Sequence, residues 1–187
     1  ERALDINKQI YGPEYPELAT ILSDLGVVCD QLGDFKQAIS YLERALDINK
    51  QIYGSEHPQV ANSLNNLGGA LDDSGDSRQA ISYFKQALAI NEQAYGPEHF
   101  LVATNLCNLG LAWRKLGDPK QAISCYNRAL AIDEKAYGPE HPEVANSLNN
   151  LGKVWVQLGE PEKTISYLER ALDINKQIYG SEHPQVA

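Results

Sequence analysis

Between Pro142 and Leu158 the apolar residues Val144, Leu148, Leu151, Trp155 and Leu158 recur every three or four positions, with polar residues between them. That spacing lines the apolar side chains along one face of an α-helix. Gly159 then interrupts the pattern, and a second begins at Pro161, running through Ile165, Leu168, Ala171, Leu172, Asn175 and Ile178 to Tyr179 before Gly180. Proline suits the first turn of a helix, and a glycine just past the last turn supplies the left-handed backbone that closes one. The next pattern starts at Pro184, so the predicted connections are only a few residues long. Connections that short force neighbouring helices to pack antiparallel. No stretch sustains alternation with period two, so the predicted fold is all-α.

The same double pattern returns along the whole chain. Residues 1–12 (ERALDINKQIYG) recur unchanged at 43–54 and 169–180, the run 43–61 recurs as 169–187, and NSLNNLG stands at both 62–68 and 146–152. A period of 42 residues defines repeats 1–42, 43–84, 85–126 and 127–168 and a partial fifth, 169–187. Repeats of this length are supersecondary units that bury their apolar faces by stacking. No linker-like composition separates them, so residues 1–187 are expected to form one array. Gly26, Gly68, Gly110 and Gly152 fall inside the first helix of each unit, where glycine costs about 1 kcal/mol relative to alanine. A cost repeated four times points to a close helix crossing. Ala38, Ala80 and Ala122, with Ala45, Ala87, Ala129 and Ala171, are expected to supply the matching small surfaces; Thr164 departs from that pattern.

Charge narrows the class of partner. Sixteen basic against 25 acidic side chains give a net charge of −9, which argues against nucleic acid and anionic membranes as general partners. No apolar run approaches the roughly 18 residues of a spanning helix. Cys29, Cys107 and Cys125 lack CxxC spacing, so neither a disulfide framework nor a thiolate zinc site is expected, and reduced thiols suit a cytoplasmic protein. The chain contains no Met and opens within a helical pattern, so it reads as part of a longer protein.

The run Leu148, Leu151, Gly152, Trp155, Gly159, followed by Thr164 and Ala171 seven apart, resembles the tetratricopeptide repeat. Its length, with NNLG, RALxI and YGPEHP, is similar to the 42-residue repeats of kinesin light chains and their bacterial relatives. The resemblance covers the whole chain. It implies a right-handed superhelical solenoid of antiparallel helix pairs, with the first helix of each pair lining a concave wall that binds a peptide or helix of a partner protein.

One polar stripe of the first helices is expected on that wall. It comprises Asn146, Asn149, Asn150, Lys153 and Gln157, spaced to share one helical face, and at equivalent positions Thr20, Ser23 and Asp24; Asn62, Asn65 and Asn66; and Thr104, Cys107, Asn108 and Lys115. An asparagine amide both donates and accepts, which matches an extended peptide backbone. The alternative is a solvated face, or asparagines bonded to neighbouring helices. Asp24, Asp30, Asp72 and Asp73 suggest an acidic early wall and Arg114, Lys115 and Lys153 a basic later one. Kinesin light chains accept acidic, aromatic-containing peptides, so the resemblance implies that the acidic part of a partner lies on the later repeats. The arrangement of Lys, Arg and Asn that clamps two carboxylates in chaperone-binding relatives is not matched, since Ser23 and Val27 stand in the first stripe.

His57, His99, His141 and His183 are spaced by the repeat, with Tyr15 at the first equivalent position. Stacked repeats hold equivalent residues far beyond the ~2.0–2.1 Å that zinc ligands need, so these histidines are expected to start helices rather than to bind metal. No catalytic motif is present, and neither an enzyme activity nor a cofactor is expected. Trp113 and Trp155 occupy one core position in successive repeats. The function predicted is a protein-binding module within a larger adaptor or signalling protein. The alternative is a scaffold that self-associates head to tail through uncapped ends.

Overall fold

Prolines and glycines set the helix boundaries. The computed structural model describes residues 15–180, and all regular secondary structure among them is helical. The helices are α1 (Pro16–Gln31), α2 (Phe35–Tyr53), α3 (Pro58–Asp73), α4 (Ser77–Tyr95), α5 (Phe100–Leu116), α6 (Pro119–Tyr137), α7 (Pro142–Leu158) and α8 (Pro161–Tyr179). The two patterns read from the fourth repeat coincide with α7 and α8. Gly159 and Gly180 follow them with φ of 70° and 80°, the left-handed region that only glycine enters without cost. The helix expected from Pro184, the first copy of the repeated run at 1–12 and His183 lie outside the described residues.

Two compact units divide the chain, Glu1–Ala94 and Tyr95–Ala187. In the first, α1 packs on α2 and α2 on α3. Tyr15, Leu18, Ala19 and Leu22 meet Ala45 and Ile48 in one core cluster. In the second, α5, α6, α7 and α8 each pack against the next. Ala122 and Tyr126 of α6 meet Leu151 and Val154 of α7, while Val144, Ala145 and Leu148 of α7 meet Ala171 and Ile174 of α8. Burying each of the larger side chains contributes roughly 1.5–3 kcal/mol. Val144, Leu148, Leu151 and Ala171 of the predicted stripe are buried in this packing, whereas Trp155 is half-buried, Leu158, Ile165 and Ile178 are exposed, and Val154, outside the stripe, is fully buried.

The buried glycines do mark close crossings, but alanine is not what they face. A Cβ on Gly26, Gly68, Gly110 or Gly152 would lie 2.5–2.8 Å from side-chain atoms of Leu42, Phe84, Tyr126 and Leu168 respectively. Each is the residue four positions after the repeated alanine or threonine of the second helix. The small residue on the first helix thus admits a large one from the second. Ala38, Ala80 and Ala122 are fully buried beside that contact.

Six of the eight helix starts are capped by side chains, those of α1 and α8 being the exceptions. Asp34, Asp76 and Asp118 accept hydrogen bonds from the backbone N–H of Gln37, Gln79 and Gln121 at 3.2, 3.0 and 3.1 Å. Such caps satisfy amides that the helix leaves unpaired. The histidines do the same for the first helices: Nδ1 of His57, His99 and His141 accepts from the N–H of Gln59, Leu101 and Glu143. Their rings stack on Tyr53, Tyr95 and Tyr137 at 4.3–4.7 Å between centroids. Tyr15, at the first equivalent position, makes no side-chain cap and is buried instead.

Candidate functional site

In the second unit a cleft of about 670 Å³ opens between α5 and α7, with residues of α6 on its wall. Helix α5 supplies Phe100, Ala103, Thr104, Cys107 and Asn108; α7 supplies Glu143, Asn146, Asn149, Asn150 and Lys153. Asp133 and Tyr137 come from α6. The i, i+3, i+4 spacing read from the sequence is what brings the α7 residues to one face.

The amides differ in what they already bond. Asn146 Nδ2 donates to Glu143 Oε2 at 3.4 Å, and Thr104 Oγ1 donates to the Phe100 carbonyl at 3.2 Å. Asn108, Asn149 and Asn150 make no side-chain hydrogen bond among the described residues, and neither does Lys153. Their donors and acceptors remain available to an incoming group. Arg114 and Lys115 do not line the cleft. Arg114 is half-buried near the Tyr126 phenol, and Lys115 is exposed in the last turn of α5.

The first unit holds a smaller cleft of about 220 Å³, lined by Pro16, Thr20 and Ser23 of α1, Asn49 and Tyr53 of α2, and Gln59, Asn62, Ser63 and Asn66 around α3. Asn62 and Asn66 thus line a cleft, whereas Asn65 does not; its Oδ1 is buried without a hydrogen bond. Nor does Asp72 contribute to an acidic wall. It is 4% exposed and accepts a hydrogen bond from Ser77 Oγ at 2.5 Å, which makes it part of the turn between α3 and α4.

The α6 wall was not legible from the first-helix stripe. Asp133 is 5% exposed and accepts a hydrogen bond from Ser147 Oγ at 2.9 Å. Burial raises its pKa above the ordinary carboxylate value and nearby Glu143 adds to this, while Ser147 and His141 oppose it. Burial likewise pushes the Cys107 thiol up to about 12. In the first unit the position equivalent to Asp133 is Asn49, which donates to Ser63 Oγ at 2.7 Å. The departure was visible in the sequence as Asn49, Asn91, Asp133 and Asn175. Among the described residues no group of three or more His, Cys, Asp or Glu side chains is arranged to hold a metal ion, and no helix is long and apolar enough to cross a membrane.

Comparison with solved structures places the fold. BtubC (BKLC) from P. vanneervenii superposes with a TM-score of 0.83 at 27% identity, covering 98% of this chain and 72% of that one. A putative kinesin light chain of Podosopora anserina with nearly identical TPR-like repeats gives 0.80 at 25%, covering 93% and 82%. A Rap protein complexed with competence and sporulation factor shares the fold alone, at 0.75 and 20%, covering 87% and 44%. No curated protein sequence matches the chain. The tetratricopeptide repeat profile matches residues 1–51, 31–93, 78–135 and 101–177. Helix pairs, buried glycines and repeat period agree with that match, and the chain belongs to the tetratricopeptide repeat family.

Proposed function

We propose that this tetratricopeptide chain is a protein-interaction module whose first helices hold an extended peptide or a helix of a partner protein. The observation that carries the reading is the set of amides of Asn108, Asn149 and Asn150, which line one cleft without a hydrogen-bond partner of their own. Such amides bond a peptide backbone with little regard to its side chains. Thr104, Asn146 and Lys153 extend the binding face within that cleft in this reading, and Asn62 and Asn66 offer the same chemistry in the cleft of the first unit. The repeats act as one array over residues 1–187, within a larger cytoplasmic adaptor or signalling protein. No catalytic step is assigned to it.

The test is the triple variant Asn108→Ala, Asn149→Ala, Asn150→Ala, compared with the parent chain against a random peptide library. Loss of at least about tenfold in affinity for selected peptides, with the helical signal and melting unchanged, is the expected result. Unchanged binding by a folded triple variant would remove the groove.

A further inference from the structure

Three positions of the third and fourth repeats depart from their equivalents and converge on one cleft. Phe100 stands where Pro16, Pro58 and Pro142 stand in other repeats, Cys107 where Ser23, Asn65 and Asn149 stand, and Asp133 where Asn49, Asn91 and Asn175 stand. All three line the cleft of the second unit. A neutral amide has been exchanged for a carboxylate, and a ring has been added 46% exposed at the rim.

Among the described residues the carboxylate has no counter-ion. Ser147 is its one hydrogen-bond donor among the described residues, and no cation pairs with it there. A buried charge satisfied by one hydroxyl is costly to the fold, because desolvation is not repaid. Its neighbours do not supply the missing positive charge in full. Glu143 of α7 and Cys107 of α5 add negative or neutral character, and His141 Nδ1 is occupied as acceptor for the Glu143 N–H. The positive end of α7 is offset by Glu143 in its first turn. Lys153 lies on the same helix ten residues beyond Glu143, about 15 Å along the axis.

We propose that this cleft recognises an arginine side chain of the partner peptide, its guanidinium against Asp133 and Glu143 and its stem and plane beside Phe100 and Tyr137. The inference rests on the groove reading above and names the chemistry of its occupant. Arginine fits better than lysine because its planar fork bonds a carboxylate bidentately and stacks on aromatic rings. Lys153 then faces an acidic residue about four or five positions away along an extended peptide, since extended chain advances about 3.3 Å per residue. The expectation that the acidic part of a partner lies on the later repeats is refined accordingly: the cleft is acidic at one end and basic at the other.

A random library of extended peptides, selected separately on the 187-residue chain and on its Asp133→Asn variant, tests this. Asn is the residue of the other repeats at this position, so the variant keeps the fold; melting curves verify it. The expected result is enrichment of arginine at one peptide position on the parent chain and its loss on the variant. For a selected peptide, replacing that arginine by glutamine is expected to weaken parent binding about tenfold or more, and to change variant binding less than about threefold. Peptides selected without arginine enrichment, or enrichment that survives Asp133→Asn, overturn the inference and leave the groove standing. Selection of no peptide above an unrelated control protein overturns the groove reading and this inference with it.

Discussion

Gly110 of α5 faces the ring of Tyr126 in α6, where a Cβ would sit 2.8 Å from Cε1. Tyr126 is fully buried between Ala122, Leu151 and Val154, so the ring has no room to retreat. The glycine is thus a fitted socket. Gly69 of α3 is its opposite, since a Cβ there meets nothing within 4 Å.

Gly110→Ala is expected to destabilise the fold. Overpacking costs typically 1–3 kcal/mol, against roughly 1 kcal/mol regained in helix propensity. Gly69→Ala gains the propensity without the clash and is expected to stabilise by about 0.5–1 kcal/mol. Chemical denaturation of the two variants checks the opposite signs; stabilisation by both would show that the α5–α6 crossing yields easily.

How much of this was legible follows from what repetition encodes. The period and the internal glycines fixed the helix pairs and their close crossings, because packing between adjacent helices depends on residues that recur at one spacing. The partner of each glycine was misread, since small residues on facing helices suggest each other unless the register is known. In the folded register Leu42, Phe84, Tyr126 and Leu168, not the alanines, fill the gap. For the cleft, the equivalent polar faces of α5 and α7 gave Asn108 and Asn146, Asn149, Asn150 and Lys153 respectively. Asp133 and Tyr137 were missed because they come from the second helix, whose turn toward the cleft is a tertiary fact. The lone Asp in an Asn ladder was the available signal.

The histidine caps carry a separable prediction. His141→Ala removes both the acceptor for the Glu143 N–H, at 3.3 Å, and the stacking on Tyr137. Loss of such a cap costs about 0.5–2 kcal/mol, and the long hydrogen bond places this one at the lower end. His141→Asp restores a capping acceptor without the ring. Equal loss in both variants, read from denaturation midpoints, would assign the contribution to stacking alone.

Cys107 is expected to resist alkylation in the folded protein. Its pKa is raised from 9.0 to about 12, chiefly by burial, with Asp133 and Glu143 adding and the Ser147 contact at 3.8 Å opposing. The reactive species is the thiolate, so near pH 8 its population falls about a thousandfold below that of an unperturbed thiol. Mass spectrometry after iodoacetamide treatment should find Cys107 unmodified until denaturant is added. Rapid labelling in the native chain would mean that the thiol, half-buried on the wall of the α5–α7 cleft, is solvated despite that burial.

The last prediction concerns Asp133 and pH. Its carboxyl is held above the ordinary value of 3.8, mainly by burial. Folding therefore favours the protonated acid. The stability it contributes is complete below about 3.8 and is lost as pH rises from there through the raised folded-state value. Above its raised folded-state value the ionised group burdens the fold, whereas an asparagine carries no such charge and retains a partner in Ser147, as Asn49 does with Ser63. Asp133→Asn should accordingly raise the melting temperature at pH 7, and the advantage over the parent should shrink as pH falls toward 4. Other carboxylates titrate in both proteins, so the difference between paired melting curves isolates this one. A difference that stays constant across that range would mean that the buried carboxylate is already compensated, and with it the case for an incoming guanidinium would lose its energetic ground.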